Sequence, residues 1–314
     1  MKIMKAMVIG GAGFIGSHLV DVCLQNDVQV AVYDNFSTGK KGFLPTVPEL
    51  QITEGDILDS RQLSETIAQF NPDVVFHLAA IHHIPTCEKM PLQALRVNIE
   101  GTESVLNACA ENRISRLVFT STGGIYDPRT IGPLNENSPI KATDIYTISK
   151  STCENLISYY VTKKDQQAII ARLFNAVGCR ETNSHVIPAI MSQLVLGLRQ
   201  IKLGNLSPRR DYIHVLDIAE ALFSLGSMNS QKPYDVFNVG SGIENSVQDV
   251  VDLFAEENGE PIEIISSPEL QRKVDRPTQQ ADISKISIAA GWVPSRNLRQ
   301  ALSEIWKENK MGQN

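Results

Sequence analysis

The chain has 314 residues, of which 42% are hydrophobic, which is enough for two lobes or one elaborated domain around a proper core. Its formal net charge of −6 argues against a surface for nucleic acid or for an anionic membrane. The 5 cysteines are scattered without a C-x-x-C pair, a pattern that fits reduced thiols and not a disulfide framework or a zinc site.

The first predicted elements are a strand, a glycine-rich turn and a helix. Apolar residues before Gly10 form the strand, and GGAGFIG places Gly10, Gly13 and Gly16 in the spacing G-x-x-G-x-x-G. The first glycine permits a tight turn, the second lets the backbone approach a pyrophosphate, and the third lets the helix lie against the strand. Free N–H groups at the helix N-terminus favour an anion there. The alternative interpretation is that these glycines only form a turn and bind no ligand.

The N-terminal apolar stretch is interrupted by Lys5 and by the glycines, so we expect neither a signal peptide nor an anchor. No other window approaches membrane-spanning length. Together with the cysteine pattern, this predicts a soluble, cytoplasmic protein.

A second apolar strand over residues 28–33 ends at Asp34. This places a carboxylate about 20 residues beyond the glycine turn, where an adenosine ribose would lie. A carboxylate accepts both ribose hydroxyls and repels a 2′-phosphate, so Asp34 favours NAD over NADP, although Lys40 and Lys41 lie nearby. The alternative is a turn residue at the end of the strand.

Strands and helices then alternate as far as residue 175. The pattern predicts strands over residues 50–53, 73–78, 116–120 and 168–173, and helices over residues 60–70, 91–112 and 146–164, with Ser60 as the first N-cap. Crossovers of this length indicate a doubly wound α/β (Rossmann) domain over residues 1–175.

The remaining residues, 176–314, are less regular and predict a smaller substrate-binding lobe, with about 211–240 returning to the first domain. Helices are expected over residues 186–198, 247–257, 283–290 and 298–307, with Gly259 ending the second of them. A strand that turns into a helix is expected at residues 210–217, and another strand at 235–239. The site should lie in the crevice between the lobes.

Tyr146 and Lys150 stand four residues apart at the start of a predicted helix, in YTISK. Residues i and i+4 share a helix face, so the ammonium group can lie near the phenol. A nearby cation favours the phenolate, and the pair therefore predicts a tyrosine base. Taken alone, such pairs are more often surface residues.

At this point the chain resembles the extended short-chain dehydrogenases/reductases, in their NAD-dependent sugar-nucleotide epimerase/dehydratase family. The resemblance runs nearly end to end and rests on motifs in the family order: GGAGFIG (10–16), YDN (33–35), GDI (55–57), HLAA (77–80), VNIEGT (97–102), FTST (119–122), YTISK (146–150), RLFNAVG (172–178), RRDYIHVLD (209–217), NVGSG (238–242) and GWVP (291–294).

The resemblance implies a role for each matching residue. The catalytic residues would be Tyr146 as base, Lys150 on the nicotinamide ribose, and Thr122 on the reacting sugar hydroxyl. Residues implied to bind NAD are Gly10, Gly13, Phe14, Ile15, Gly16, Asp34, Asn35, Asp56, Ile57, Leu78, Ala79, Ala80, Asn98, Thr120, Tyr146 and Lys150. Residues implied or expected to bind the nucleotide sugar are His82, His83, Thr122, Asn175, Arg210 and Arg272.

The two residues that directly follow Thr122 narrow the set of reactions that the family resemblance allows. Family 4,6-dehydratases carry Asp and Glu there, whereas this chain has Gly123 and Gly124, which can neither protonate a hydroxyl nor abstract a proton. The resemblance therefore implies a nucleotide-sugar 4-epimerase acting on a UDP-hexose or UDP-N-acetylhexosamine. A 4-ketoreductase or dehydrogenase stays open, and more remotely a non-catalytic NAD-binding scaffold.

Several positions depart from the family pattern. His82 and His83 follow the central strand and face the expected sugar site. There they bind substrate, add acid/base chemistry, or are loop histidines in partial solvent. The phosphate-binding arginine of the family is either Arg272, in RKVD, or Arg276. For Arg210, the alternative to binding the diphosphate is an ion pair with Asp211 or Asp217. His185 replaces an asparagine.

The helices at about 91–112 and 146–164 resemble those that pair two subunits of this family in a four-helix bundle. A homodimer is therefore expected. No metal site is expected from the sequence.

Overall fold

The computed structural model describes residues 2–164, 166–230, 232–270 and 276–311. The strands are β1 (Lys5–Ile9), β2 (Gln29–Asp34), β3 (Leu50–Glu54), β4 (Val74–His77), β5 (Arg116–Thr122), β6 (Gln167–Leu173), β7 (Asn175–Val177), β8 (Gln200–Leu203), β9 (Arg209–His214), β10 (Tyr234–Val239), β11 (Glu244–Ser246) and β12 (Glu263–Ser266). The α-helices are α1 (Phe14–Gln25), α2 (Ser60–Phe70), α3 (Ile84–Lys89), α4 (Pro91–Leu95), α5 (Gly101–Glu111), α6 (Ile145–Lys164), α7 (Val186–Val195), α8 (Val215–Ser227), α9 (Val247–Asn258), α10 (Ser284–Ala290) and α11 (Leu298–Met311).

The central sheet has seven parallel strands in the order β10-β6-β5-β4-β1-β2-β3. The chain builds outward from β1 through β2 and β3, then returns to the other side of β1 with β4. The direction of winding therefore switches between β1 and β4, and a doubly wound sheet opens a crevice at such a point. The predicted α/β fold class is confirmed.

Alternation along the strands supplies a core on each face of the sheet. Val8 and Val32 pack on one face with α1 and α8, whereas Met7 and Tyr33 pack on the other with α2, α5 and α6. A parallel strand that is covered on both faces needs apolar residues at consecutive positions, which is why these strands read as continuous apolar runs.

The later part of the chain builds a third core from α7, α9 and α11, with Trp306 and Phe254 buried between them. Strands β7, β9 and β11 form a small sheet beside it, and β8 pairs with β12. In contrast, β10 extends the central sheet next to β6, and α8 packs against α1. Residues 215–239 thus lie with the first lobe, while the lobe boundaries stay a proposal.

Three local predictions need correction. The helix expected over residues 91–112 is divided by a π-helical segment, Arg96–Glu100, which places Asn98 in the interior. Helix α3 was not predicted and precedes it. The N-cap of α2 is Asp59 and not Ser60, because the Asp59 carboxylate accepts the Gln62 N–H. Gly259 ends α9 as expected, with φ of 75°.

Among the helices in the described part of the chain, none combines the length and the apolar character that crossing a membrane requires.

Candidate active site

A cleft of about 1270 Å³ opens at the carboxyl ends of the parallel strands. Its walls come from the turns after β1, β2 and β4, from the start of α6, and from the segment between β7 and α7. The cleft lies at the switch between β1 and β4, where the topology predicts a ligand site.

The glycine turn forms the floor of one end of the cleft. Gly10 has φ of 84°, and a Cβ there would lie 2.6 Å from the Ala79 backbone nitrogen, so only glycine fits. A Cβ on Gly16 would overlap the Gly10 carbonyl, which explains the close approach of α1 to β1. Gly13 is the N-cap of α1 without a side-chain hydrogen bond, and the first turn of α1 has no acidic residue. These features make the turn an anion-binding cradle.

Asp34 is held at the end of β2 by two backbone donors. Its carboxylate accepts the Ala12 N–H at 2.9 Å and the Phe36 N–H at 2.8 Å. The residue is 8% exposed and lines the cleft, so the carboxylate is oriented before any ligand arrives. Asn35 lies beside it and donates to Asp56 at 2.9 Å.

Nearly all the residues predicted to bind the cofactor line the cleft: Gly10, Gly13, Phe14, Ile15, Gly16, Asp34, Asn35, Asp56, Ile57, Leu78, Ala79, Ala80, Thr120, Tyr146 and Lys150. Asn98 does not. It is 1% exposed, and its side chain bonds the Ile81 N–H, the Ile81 carbonyl and the Ser149 hydroxyl. Asn98 thus holds the loop after β4 against α6, and its predicted contact with the cofactor stays a prediction.

Tyr146, Lys150 and Thr122 converge in the middle of the cleft. Helix α6 presents the first two on one face, and Thr122 ends β5 opposite them. The Thr122 hydroxyl hydrogen-bonds the Tyr146 phenol, and it also accepts the Gly124 N–H at 3.1 Å. The Lys150 ammonium donates to the Thr120 carbonyl at 2.8 Å and lies 4.5 Å from the centre of the Phe119 ring.

Burial governs the protonation of this pair. It lowers the pKa of Lys150 to about 8 and raises the pKa of Tyr146 above its ordinary value. Burial has the largest effect on the pKa of Tyr146, so the expected lowering of that pKa by the Lys150 ammonium stays a prediction. Both side chains line the cleft from the same helix, and further positive charge there would favour the phenolate.

A buried ion pair lies beneath Thr122. Arg172 on β6 contacts Glu154 on α6 through two hydrogen bonds of 3.0 and 2.7 Å, and the same carboxylate accepts the Ser121 hydroxyl at 2.6 Å. Both side chains are at most 7% exposed. This network ties the end of β5 to the helix that carries Tyr146, and it was not anticipated from the sequence.

Three histidines meet at the other end of the cleft. The rings of His82 and His185 lie 6.0 Å apart, and those of His83 and His185 lie 5.5 Å apart. Burial and the neighbouring His185 lower the pKa of His82 to about 4, so this imidazole is neutral at pH 7. Glu181 and Asn183 complete the group, with Asn183 Nδ2 at 3.1 Å from His82 Nε2.

Two arginines form a positive wall along the cleft. Arg210 donates to the Arg276 carbonyl at 2.7 Å, and both side chains line the cleft. Burial and Arg210 lower the pKa of Arg276 to about 10. Among the described residues, Nη1 of Arg276 is buried without a hydrogen-bond partner. Two adjacent guanidinium groups with a spare donor suit a phosphate.

The remaining residues predicted to bind the substrate are Arg272, Arg210 and Asn175. Arg272 lies outside the described residues, so its predicted role stays a prediction. Asp211 accepts backbone N–H groups of Ser241 and Gly242, and Asp217 pairs with Arg296, so both proposed partners of Arg210 are otherwise engaged. Asn175 is exposed at the start of β7 and lines the cleft.

Sequence analysis missed Glu181 and Asn183. They lie about a hundred residues beyond His82, and their spacing is not a motif by itself. A signal was present in E-x-N-x-H, three polar side chains at alternate positions just before a predicted helix. Only the folded chain brings them to His82.

The sequence matches the model of the NAD dependent epimerase/dehydratase family over residues 6–240. It is 30% identical over 319 aligned positions to a UDP-glucose 4-epimerase of Corynebacterium glutamicum, with 96% of this chain and 95% of that protein covered.

Two solved structures share the fold throughout. A Thermus thermophilus UDP-glucose 4-epimerase in complex with NAD has a TM-score of 0.88 and 28% identity, covering 98% of this chain and 99% of that one. A UDP-N-acetylglucosamine 4-epimerase of Methanobrevibacter ruminantium, in complex with UDP-N-acetylmuramic acid, has a TM-score of 0.90 and 27% identity, covering 100% of both chains.

Proposed function

The chain belongs to the NAD dependent epimerase/dehydratase family, and on this premise we propose that it is a 4-epimerase of a UDP-hexose or UDP-N-acetylhexosamine. It is an NAD-dependent epimerase of the extended short-chain dehydrogenase/reductase type. The observation that carries the proposed reaction is the meeting of Tyr146, Lys150 and Thr122 beside the glycine turn.

The cleft fits the cofactor. The cradle at Gly10 has no room for a Cβ, and the first turn of α1 offers N–H groups to a pyrophosphate. Asp34 is already oriented for ribose hydroxyls, which favours NAD over NADP. Of the two nearby lysines, Lys41 is paired with Glu54 at 2.8 Å, and Lys40, which lines the cleft, lies over the Phe43 ring at 5.5 Å from its centre.

Each catalytic side chain has a task in this proposal. When bound, NAD supplies a reversible acceptor for the hydride at C4, so the sugar passes through a 4-keto form. Tyr146 removes the proton of the C4 hydroxyl and returns it after the sugar has turned over. Thr122 hydrogen-bonds that hydroxyl, and Lys150 orients the nicotinamide ribose from its place on the Thr120 carbonyl.

The two glycines that follow β5 argue against a dehydration reaction. Gly123 packs against Phe174, and a Cβ added to it would lie 2.9 Å from the ring. A Cβ added to Gly124 would lie 3.0 Å from the Thr147 side chain. Neither position carries a carboxylate, and a side chain at either one would press on these neighbours. The acid and base that a 4,6-dehydratase needs there are therefore absent, in keeping with epimerisation.

The positive wall supports a nucleoside diphosphate substrate. Arg210 and Arg276 are adjacent, and a diphosphate would use the spare donor of the second. The uridine and the sugar are proposed from the relatives, which are named for UDP-glucose and UDP-N-acetylglucosamine.

We also propose a homodimer that pairs α4–α5 and α6 with their copies. Leu92 on α4 is 83% exposed, and Tyr159 and Ile148 on α6 are 59% and 42% exposed. Apolar side chains on neighbouring exposed helices favour burial against a partner. Sedimentation of the purified protein that shows only monomer would contradict this.

The test is to incubate the purified protein, without added NAD, with a panel of UDP-sugars and to resolve the products by chromatography and NMR. The C4 epimer should form, and Tyr146→Phe should slow its formation by about 10²–10⁴-fold because the base is lost. Tyr159→Phe on the same helix keeps the ring that the proposed dimer would bury, removes only a hydroxyl remote from the cleft, and should leave the rate unchanged.

Two outcomes would overturn the proposal. Unchanged sugars with a freely lost cofactor and stoichiometric NADH change on reaction would favour a 4-ketoreductase or dehydrogenase. Retained NAD without turnover of any nucleotide sugar would favour a non-catalytic scaffold.

A further inference from the structure

Three side chains with metal-ligating atoms meet in the cleft beyond Tyr146. One ring nitrogen of His82, one of His185 and one carboxylate oxygen of Glu181 all lie within 4.8 Å of one another. All three residues line the cleft and are partly buried. They come from two segments, the loop after β4 and the segment before α7, which only the fold brings together.

Polar groups surround the His82 imidazole. It hydrogen-bonds the Ala80 backbone, and an imidazole that donates one N–H to a carbonyl keeps a lone pair on its other nitrogen. The Asn183 amide nitrogen lies 3.1 Å from Nε2, which agrees with a lone pair that accepts a hydrogen bond. Metal-ligating histidines commonly donate their second N–H to a carbonyl in this way.

Glu181 and His185 are positioned by the short turn between them. The Glu181 carboxylate accepts the Asn183 N–H at 2.8 Å, and the His185 N–H donates to the Asn183 carbonyl at 2.9 Å. His185 is the N-cap residue of α7, with an extended backbone and no side-chain capping bond. Its imidazole stands beside that of His82, with the ring centres 6.0 Å apart.

We propose that His82, Glu181 and His185 bind a divalent transition-metal ion of the zinc class. Two imidazole nitrogens and one carboxylate oxygen are a ligand set that Zn²⁺ and Co²⁺ accept, with metal–ligand distances of about 2.0–2.2 Å. Ligand atoms around such an ion lie about 3–3.5 Å apart, so small side-chain rotations close the set. Asn183 must turn its amide aside to free Nε2. The proposal departs from the expectation, drawn from the sequence, of no metal site.

Three protein ligands leave at least one coordination position open to the cleft. Water or an oxygen of a ligand in the cleft would fill it. If the proposed function holds, that oxygen belongs to the nucleotide sugar, and the ion would select among sugars without taking part in the proton transfer at Tyr146. Binding of the ion itself does not depend on that role.

The test is a titration of tag-free, full-length, metal-stripped protein with Co²⁺, without substrate, followed by visible absorption and by calorimetry. We expect one ion per chain and the d–d bands of a low-coordinate nitrogen–oxygen site. His185→Gln and Glu181→Gln should each weaken Co²⁺ binding by more than about 100-fold, since loss of even an outer-shell partner costs about 10–100-fold. Zn²⁺ should displace Co²⁺ competitively.

His83→Gln is the matched control. His83 lies on the same loop and 5.5 Å from His185, but it is not one of the three ligands, and its Nδ1 contacts the Thr86 hydroxyl at 2.9 Å. This variant should keep wild-type Co²⁺ affinity, and thermal unfolding should show each variant folded. Wild-type protein without saturable one-to-one binding would overturn the proposal. Equal weakening by His83→Gln and His185→Gln would also overturn it, because an unspecific imidazole cluster predicts that result.

Discussion

The two ends of the cleft are built in different ways. The cofactor end is formed by the turns that follow successive strands of the α/β domain and depends largely on backbone groups, with Gly10 and the N-terminus of α1 at its floor. The sugar end is formed by side chains from distant segments, with His82, Glu181 and Arg276 brought together from three parts of the chain. The first end is local in sequence, and the second is not.

This difference indicates how each end tolerates change. A backbone cradle needs glycine at few positions, and other residues around it can vary. A side-chain assembly depends on the polar groups beneath it, because each of its members must be held at the correct place. Four substitutions test that contrast, from the largest expected effect to the smallest.

The largest effect is expected from Arg172→Met, beneath Thr122 in the middle of the cleft. This substitution leaves the Glu154 carboxylate buried without its cation and should lower the free energy of unfolding by about 3–5 kcal/mol. Urea denaturation measures it. Adding Glu154→Leu should recover part of the loss, because the uncompensated charge is then removed as well. An Arg172→Met variant as stable as wild type would show that this network does not support the site.

A somewhat smaller effect is expected from Gly10→Ala at the cofactor end. An alanine there must adopt φ of 84° and push its Cβ to 2.6 Å from the Ala79 nitrogen, which should cost about 2–4 kcal/mol of stability and abolish retention of NAD. Gly42→Ala is the control, since no atom lies within 4 Å of its new Cβ. NAD content after gel filtration and urea denaturation report the two consequences. Unchanged NAD content would remove the turn from the cofactor site.

Arg276→Ala should raise KM for the UDP-sugar by about 10–100-fold with little change in kcat. A hydrogen bond to a charged phosphate contributes about 1.5–3 kcal/mol, and this arginine is remote from the reacting C4. Steady-state kinetics measure both constants. Arg129→Ala, which removes an exposed guanidinium paired with Asp127, should leave KM unchanged. A fall in kcat alone would assign Arg276 to the chemical step.

The last effect, at most about 1.4 kcal/mol per pH unit, concerns Lys150, at the junction of the two ends. Its pKa of about 8 lies below the ordinary 10.5, so between these pH values the unfolded chain holds a proton that the folded chain has released. Stability should therefore rise with pH in this window relative to Lys150→Met. Urea denaturation of cofactor-free protein across that window measures the difference. A difference that is constant or falls with pH would mean that burial does not lower this pKa.

The sequence alone determined the fold class and most of the cofactor end. The glycine spacing, the apolar runs and the position of Asp34 are local patterns, and a local pattern keeps its geometry once its strand and helix form. The pairing of Tyr146 with Lys150 was predictable for the same reason, since residues i and i+4 share a helix face. These predictions needed no knowledge of which segments meet.

Only the tertiary structure decided the sugar end. Glu181 and Asn183 reach His82 because β4 and β7 end at the same side of the fold, and the spacing of residues in sequence carries no trace of that. Asn98 lies in a motif that matches the family, and only the structure shows that its side chain hydrogen-bonds Ile81 and Ser149 inside the protein. The protonation of Tyr146 likewise depends on burial by distant segments, and burial is a property of the folded chain and not of any motif.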